Sequence, residues 1–146
     1  MMQFFQNIDH WLVREMERWG IPLLRVTLGI VFIWFGLLKI VNVSPVVDMI
    51  SAVYPFVPMP EFLVVLGIWE VVIGLGLLTK RAPRITIALL WLQMAGVFAA
   101  PIFAPMLFYD YGNPFFLTTL GEFVIKNIVF LSASLVIGSR IVREQV

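Results

Sequence analysis

The chain has 146 residues, enough for one domain, and 61% of them are hydrophobic, against about 45–50% for a soluble protein. Only 13% are charged and the formal net charge is +1, so nothing in the balance points to nucleic acid or an acidic partner. The absence of cysteine excludes disulfides, thiolate metal sites and a cysteine nucleophile, and the single histidine, His10, cannot supply a pair of intramembrane haem ligands.

The N-terminal stretch reads as an amphipathic helix over residues 1–20. Phe4, Ile8, Leu12 and Met16 recur at helical spacing, with Arg14, Glu15, Glu17 and Arg18 mostly on other faces. It is too charged for a secretory signal peptide, and an interfacial helix lying on the membrane surface is the expectation. An arm that docks on a partner is the alternative. Trp19-Gly20-Ile21-Pro22 predicts a break before the next helix, with proline in its first turn.

A helical crossing needs about 20 mostly apolar residues. Four stretches qualify, at residues 21–41, 61–79, 85–107 and 117–139, leaving 140–146 as a tail. The fold class is therefore an all-α membrane protein, a four-helix transmembrane bundle occupying residues 21–139.

Ser44-Pro45 predicts an N-cap and first turn for a short helix over residues 46–53, lying as a lid over one end of the bundle. Pro101 and Pro105 predict a kink at the far end of the third crossing. Tyr111-Gly112-Asn113-Pro114 marks a turn before the fourth, among aromatic residues suited to an interfacial belt.

Arg14, Arg18 and Arg25 precede or begin the first crossing. Lys80, Arg81 and Arg84 join the second to the third, and Arg140 and Arg143 follow the fourth. The other two links, around residues 42–60 and 108–118, hold Asp48 and Asp110 but no lysine or arginine. The positive-inside rule then places both termini in the cytoplasm, in a multi-pass protein of the plasma (inner) membrane.

Each crossing carries a stripe of small and polar residues at spacings of three and four. The stripes are Arg25, Gly29, Phe32, Gly36, Lys39 in the first and Leu63, Gly67, Glu70, Gly74 in the second. The third has Thr86, Leu89, Gln93, Gly96, Ala100, and the fourth Glu122, Lys126, Val129, Ala133.

If all four stripes face inward, Lys39, Glu70, Glu122 and Lys126 meet in the outer half. The predicted pairs are Glu70 with Lys126 and Lys39 with Glu122, with Gln93, Asn127 and Trp69 at the margin. An unpaired charge at the bilayer centre costs about 2.5–3.5 kcal/mol on insertion scales, so these groups must neutralise one another. The set reads either as a ligand site or as a structural ion-pair network. No metal site is expected.

Arg25-x3-Gly29-x6-Gly36-x2-Lys39 resembles the first helix of the DoxX family of small four-helix membrane proteins. Glu70-x3-Gly74-Leu75-Gly76-Leu77-Leu78-Thr79-Lys80-Arg81 is similar to that family's second helix and turn. Glu122-x3-Lys126-Asn127 resembles the fourth helix of a DoxX-like subgroup. The resemblance spans about residues 23–138. It implies a four-helix bundle and an association with redox processes, including quinone-linked ones, with a quinone as the implied cofactor. The chain lacks the histidine that some relatives carry near the outer end of the third helix. With no electron carrier of its own, the chain reads as a quinone-linked redox component, or else as a non-catalytic accessory subunit. Its expected partners are the lipid bilayer and other membrane subunits or further copies of itself.

Overall fold

The computed structural model describes residues 2–59 and 61–143, with side chains from residue 8 onward. In chain order the helices are α1 (Met2–Ile40), α2 (Val47–Val53), α3 (Glu61–Thr79), α4 (Pro83–Phe103), α5 (Pro105–Phe108), α6 (Thr119–Lys126) and α7 (Ile128–Arg143). A 3₁₀ turn at Asp110–Gly112 lies between α5 and α6. Among the described residues there is no strand, only an isolated bridge between Tyr109 and Leu117.

Four segments are long and apolar enough to cross a membrane: Ile8–Ile40, Glu61–Thr79, Pro83–Phe103 and Thr119–Arg143. They form a ring in which α1 packs on α3, α3 on α4, α4 on α7 and α7 on α1. Facing pairs show that neighbours run antiparallel. Gly29 meets Gly74 while Gly36 meets Gly67, and Trp91 reaches Ser134 while Ile87 approaches Gly138. The core of the ring is apolar, centred on Phe32, Ile73, Leu77, Leu90, Met94 and Ile137.

The α1–α3 contact is the tightest. A Cβ added at Gly67 would stand 2.6 Å from the Gly36 carbonyl oxygen, and one at Gly74 would stand 2.6 Å from that of Gly29. Both helices repeat glycine every seven residues, about two turns, so the two backbones touch twice along one seam.

Several boundaries differ from the sequence expectation. No break occurs at Trp19–Pro22, because α1 runs unbroken to Ile40 with Pro22 inside it. Proline there forfeits the one bond to the Arg18 carbonyl, while strong helix formers such as Met16, Glu17, Leu23 and Leu24 flank it. Residues 2–20 are therefore not a separate helix, residue 1 lies outside those described, and so does the side chain of Phe4.

Ser44 is not the cap of α2. Val46 occupies that position, and Ser44 is buried and accepts from Val47 N through its carbonyl. The third crossing ends at Phe103, since the residue before Pro105 is pushed out of the helical region and Ala104 sits at φ −136°, ψ 61°. Pro105 then opens α5.

The fourth crossing starts at Thr119, with Thr118 as an N-cap accepting from Gly121 N at 3.1 Å. It is interrupted at Asn127 and extends to Arg143. Residues 140–143 thus belong to α7 and not to a tail, while residues 144–146 lie outside those described.

The two ends of the bundle differ. One carries the Lys80–Arg84 link, here the basic end. The other carries α2, whose Val53, with Met49 and Tyr54 beside it, packs against Ala100, Phe108 and Val124. The short helix packs against that end of the bundle.

Candidate functional site

At the end of α1 the backbone closes in a Schellman arrangement. Val43 N bonds the Leu38 carbonyl at 3.0 Å, Asn42 N bonds that of Lys39 at 3.1 Å, and Asn42 takes φ +56°. Lys39 thus lies in the last turn of α1, yet it does not point outward.

Cα–Cβ bonds tilt toward a helix's N-terminus. In the antiparallel α1–α3 pair, Lys39 is therefore directed into the bundle and Glu70 toward the α2 end. The glycine register leaves about six residues, or roughly 9 Å, between their levels, which the two extended side chains span. Lys39 Nζ donates to Glu70 Oε2 at 2.6 Å, and each side chain is 8% exposed.

Glu70 is the middle residue of α3, about 13 Å from either end. Its second oxygen, Oε1, accepts from Gln93 Nε2 of α4. The carboxylate is thus held by one base and one amide from two other helices. Gln93 Oε1 is buried without a hydrogen-bond partner.

The predicted pairing is corrected by this geometry. Glu70 pairs with Lys39, not with Lys126, and Glu122 pairs with Lys126, not with Lys39. Lys126 Nζ lies 3.3 Å from Glu122 Oε2, one turn away on the same helix. Their side chains are 75% and 59% exposed, respectively.

The fourth stripe therefore faces outward over Glu122, Lys126 and Val129, and the buried residues are Gly121, Val124, Ser134, Ile137 and Ile141 with Ala133. Spacing alone could not separate the two faces, because both repeat with the helical period.

Asn127 is buried, but its Nδ2 donates to the Phe123 carbonyl at 2.9 Å, so it belongs to the interruption of the helix and not to the cluster. Trp69 Nε1 donates to the Leu89 carbonyl at 3.2 Å.

Three polar anchors were not assigned partners from sequence. Arg25 Nη1 donates to the carbonyls of Leu77 and Leu78, where the last turn of α3 leaves acceptors unfilled. Trp91 Nε1 donates to Ser134 Oγ at 2.9 Å, tying α4 to α7. Tyr54, just after α2, donates to the Gly96 carbonyl at 3.3 Å, and burial pushes its hydroxyl pKa up, so it stays a donor at neutral pH. Only Arg25 carried a sequence signal, as a charge at the foot of a glycine stripe.

What the site can do follows from its hydrogen-bond capacity. An ammonium has three N–H donors, and the contact with Glu70 uses one of those of Lys39. The cluster can therefore still donate from Lys39 and accept at Gln93 Oε1. No group of histidine, aspartate or glutamate able to hold a metal ion occurs among the described residues. Comparison of the chain with protein-family models, with curated proteins and with solved structures gives no match in any of the three.

Proposed function

We propose that this chain is a DoxX-like, redox-associated component of the plasma membrane, in which Lys39, Glu70 and Gln93 bind the oxygen-bearing head of a quinone. The observation that carries the reading is the buried, unpartnered Gln93 Oε1 beside a carboxylate–ammonium pair. A hydroxyl reaching Gln93 Oε1 and an oxygen accepting from Lys39 would complete the set, and a quinone–quinol couple offers both. Intramembrane ionisable groups are functional candidates by default, and this pair sits at mid-helix in α3. A bound quinone supplies two-electron, two-proton redox chemistry, while the residues here orient its head and hold a proton. Electrons come from a partner, since the chain has no cysteine.

In this reading both termini are cytoplasmic, by the bias of Arg14, Arg18, Lys80, Arg81 and Arg143 toward one end. The turns of α1 that carry Arg14, Glu15, Glu17 and Arg18, just before the crossing, then lie at the inner interface.

The test is quinone titration of the purified full-length protein in detergent, followed by tryptophan fluorescence. Gln93→Leu should weaken binding by about tenfold, the worth of one buried hydrogen bond of about 1.4 kcal/mol. Lys126→Gln, outside the cluster, should leave it unchanged. Equal binding by wild type and Gln93→Leu would overturn the reading.

A second reading, a non-catalytic accessory subunit, is favoured by a different observation: both oxygens of Glu70 are already satisfied within the protein. A purified complex with stoichiometric partner subunits and no quinone would support it.

A further inference from the structure

An ion pair in the fourth crossing is turned away from the bundle. Glu122 and Lys126 of α6 are mostly exposed, and the ring contact of Phe32 with Phe130 places Lys126 level with Gly36, about 6 Å inside the end of α1. Hydrocarbon offers such groups no hydrogen bonds, and Lys126 meets only its neighbour one turn away. The exposed faces of the other crossings are of a different kind: Val65, Ile68, Val72 and Leu75 on α3, and Ile85 and Leu92 on α4, are large and apolar. Those faces suit lipid. Below the ion pair, the same outward face of α7 continues through Val129, Ser132, Val136 and Ser139, two valines and two serines each seven residues apart.

We infer that this face of α6 and α7 is the contact between two copies of the chain. Two copies inserted in the same direction are related by a two-fold axis parallel to the bilayer normal, so equal depths meet across it. Four residues on, Lys126 is turned about 40° around the helix from Glu122 and reaches back to it. The two charged ends lie side by side at nearly one depth, so the patch is complementary to itself: the acid of each copy stands beside the base of the other. Each charge then gains a second opposite neighbour, and the pair leaves the lipid. A partner of different sequence would have to bring its own acid and base to that depth, whereas a second copy supplies both by symmetry. The valines and serines below allow close approach along the seam. The inference does not depend on what the Lys39–Glu70–Gln93 cluster binds.

The lack of native cysteine makes the test direct. Val129→Cys, at a site 65% exposed, is introduced into the full-length protein in vesicles of phosphatidylethanolamine and phosphatidylglycerol and oxidised. Val72→Cys on the lipid-facing side of α3 serves as control. Disulfide-linked dimer should form at Val129→Cys at least about tenfold more than at Val72→Cys. Added to Val129→Cys, Glu122→Lys or Lys126→Glu alone should lower the yield by about tenfold, a change equal to about 1.4 kcal/mol. The double reversal Glu122→Lys/Lys126→Glu should restore it, because the patch is again self-complementary, and this variant also shows that reversed charges are tolerated by the fold. Equal cross-linking at positions 129 and 72 would overturn the inference and leave the face to lipid. So would a yield indifferent to single reversal, or a double reversal that fails to restore it.

Discussion

Lys39 and Glu70 show how much the environment of a charge decides its energetic weight. Both are buried, and removing one partner leaves the other uncompensated in a low-dielectric interior, which costs about 3–5 kcal/mol. Removing both can be nearly neutral when apolar groups fill the volume. Lys39→Met and Glu70→Met should therefore each lower stability by several kcal/mol, and Lys39→Met/Glu70→Met should recover most of the loss. Unfolding of each variant in mixed micelles measures this directly, and simple additivity would mean the pair is not coupled. Lys126→Met removes a pair that is largely exposed, so its effect on the isolated protein should stay within about 1 kcal/mol. The contrast also explains what was legible at this scale. Charge within an apolar stretch singled out all four residues, and Gln93, expected only at the margin of the network, bonds Glu70 directly. Partner choice was not legible, because it depends on which way each helix is rotated and on the tilt of Lys39 and Glu70 toward each other.

Glycines carry the element-scale argument, since the same residue type has opposite consequences on different helices. At Gly36 a Cβ would collide with the backbone of α3 at Gly67 and Val71, and the backbone cannot move aside as a side-chain tip can. At Gly96 a Cβ would meet nothing within 4 Å. Gly36→Ala should therefore destabilise by about 1–3 kcal/mol through overpacking. Gly96→Ala should stabilise by up to about 1 kcal/mol, because alanine loses less backbone entropy in a helix. Thermal unfolding in one detergent compares the two, and a shared sign would contradict the α1–α3 packing. The stripes of the first two crossings were readable because glycine, arginine and lysine or glutamate fell on one seam. The fourth was misread because its most conspicuous polar residues lie on the outer face, while the inner one is built from Val124, Ile137 and the silent Ser134. Local break signals were weaker guides still. Gly20 and Pro22 do not end α1, whereas Pro105 does end α4 by excluding Ala104 from the helical region.

At the scale of the whole molecule, the number of crossings was legible because hydrocarbon thickness fixes helix length, and their mutual order because short links force neighbours to run antiparallel. Direction in the membrane is a separate matter, carried by charge in the links. The Lys80–Arg84 link and Arg143 lie at one end, while α2, the 3₁₀ turn and the aromatic residues Tyr111, Phe115 and Phe116 lie at the other. Moving the basic link across the bilayer during insertion would carry three cations through hydrocarbon, each at about 2.5–3.5 kcal/mol on insertion scales, so one orientation should dominate strongly. The cysteine-free sequence lets each link be tagged alone. Ala82→Cys, in the exposed basic link, should react with a membrane-impermeant maleimide only after the cells are opened. Phe115→Cys, at a position 89% exposed near the other end, should react in intact cells. Replacing Lys80, Arg81 and Arg84 together by glutamine should blur the distinction, giving partial labelling of both positions in intact cells. Strong labelling of Ala82→Cys from outside in the unaltered background would reverse the orientation. The Lys39 end of the buried cluster would then face the cytoplasm, and with it α2.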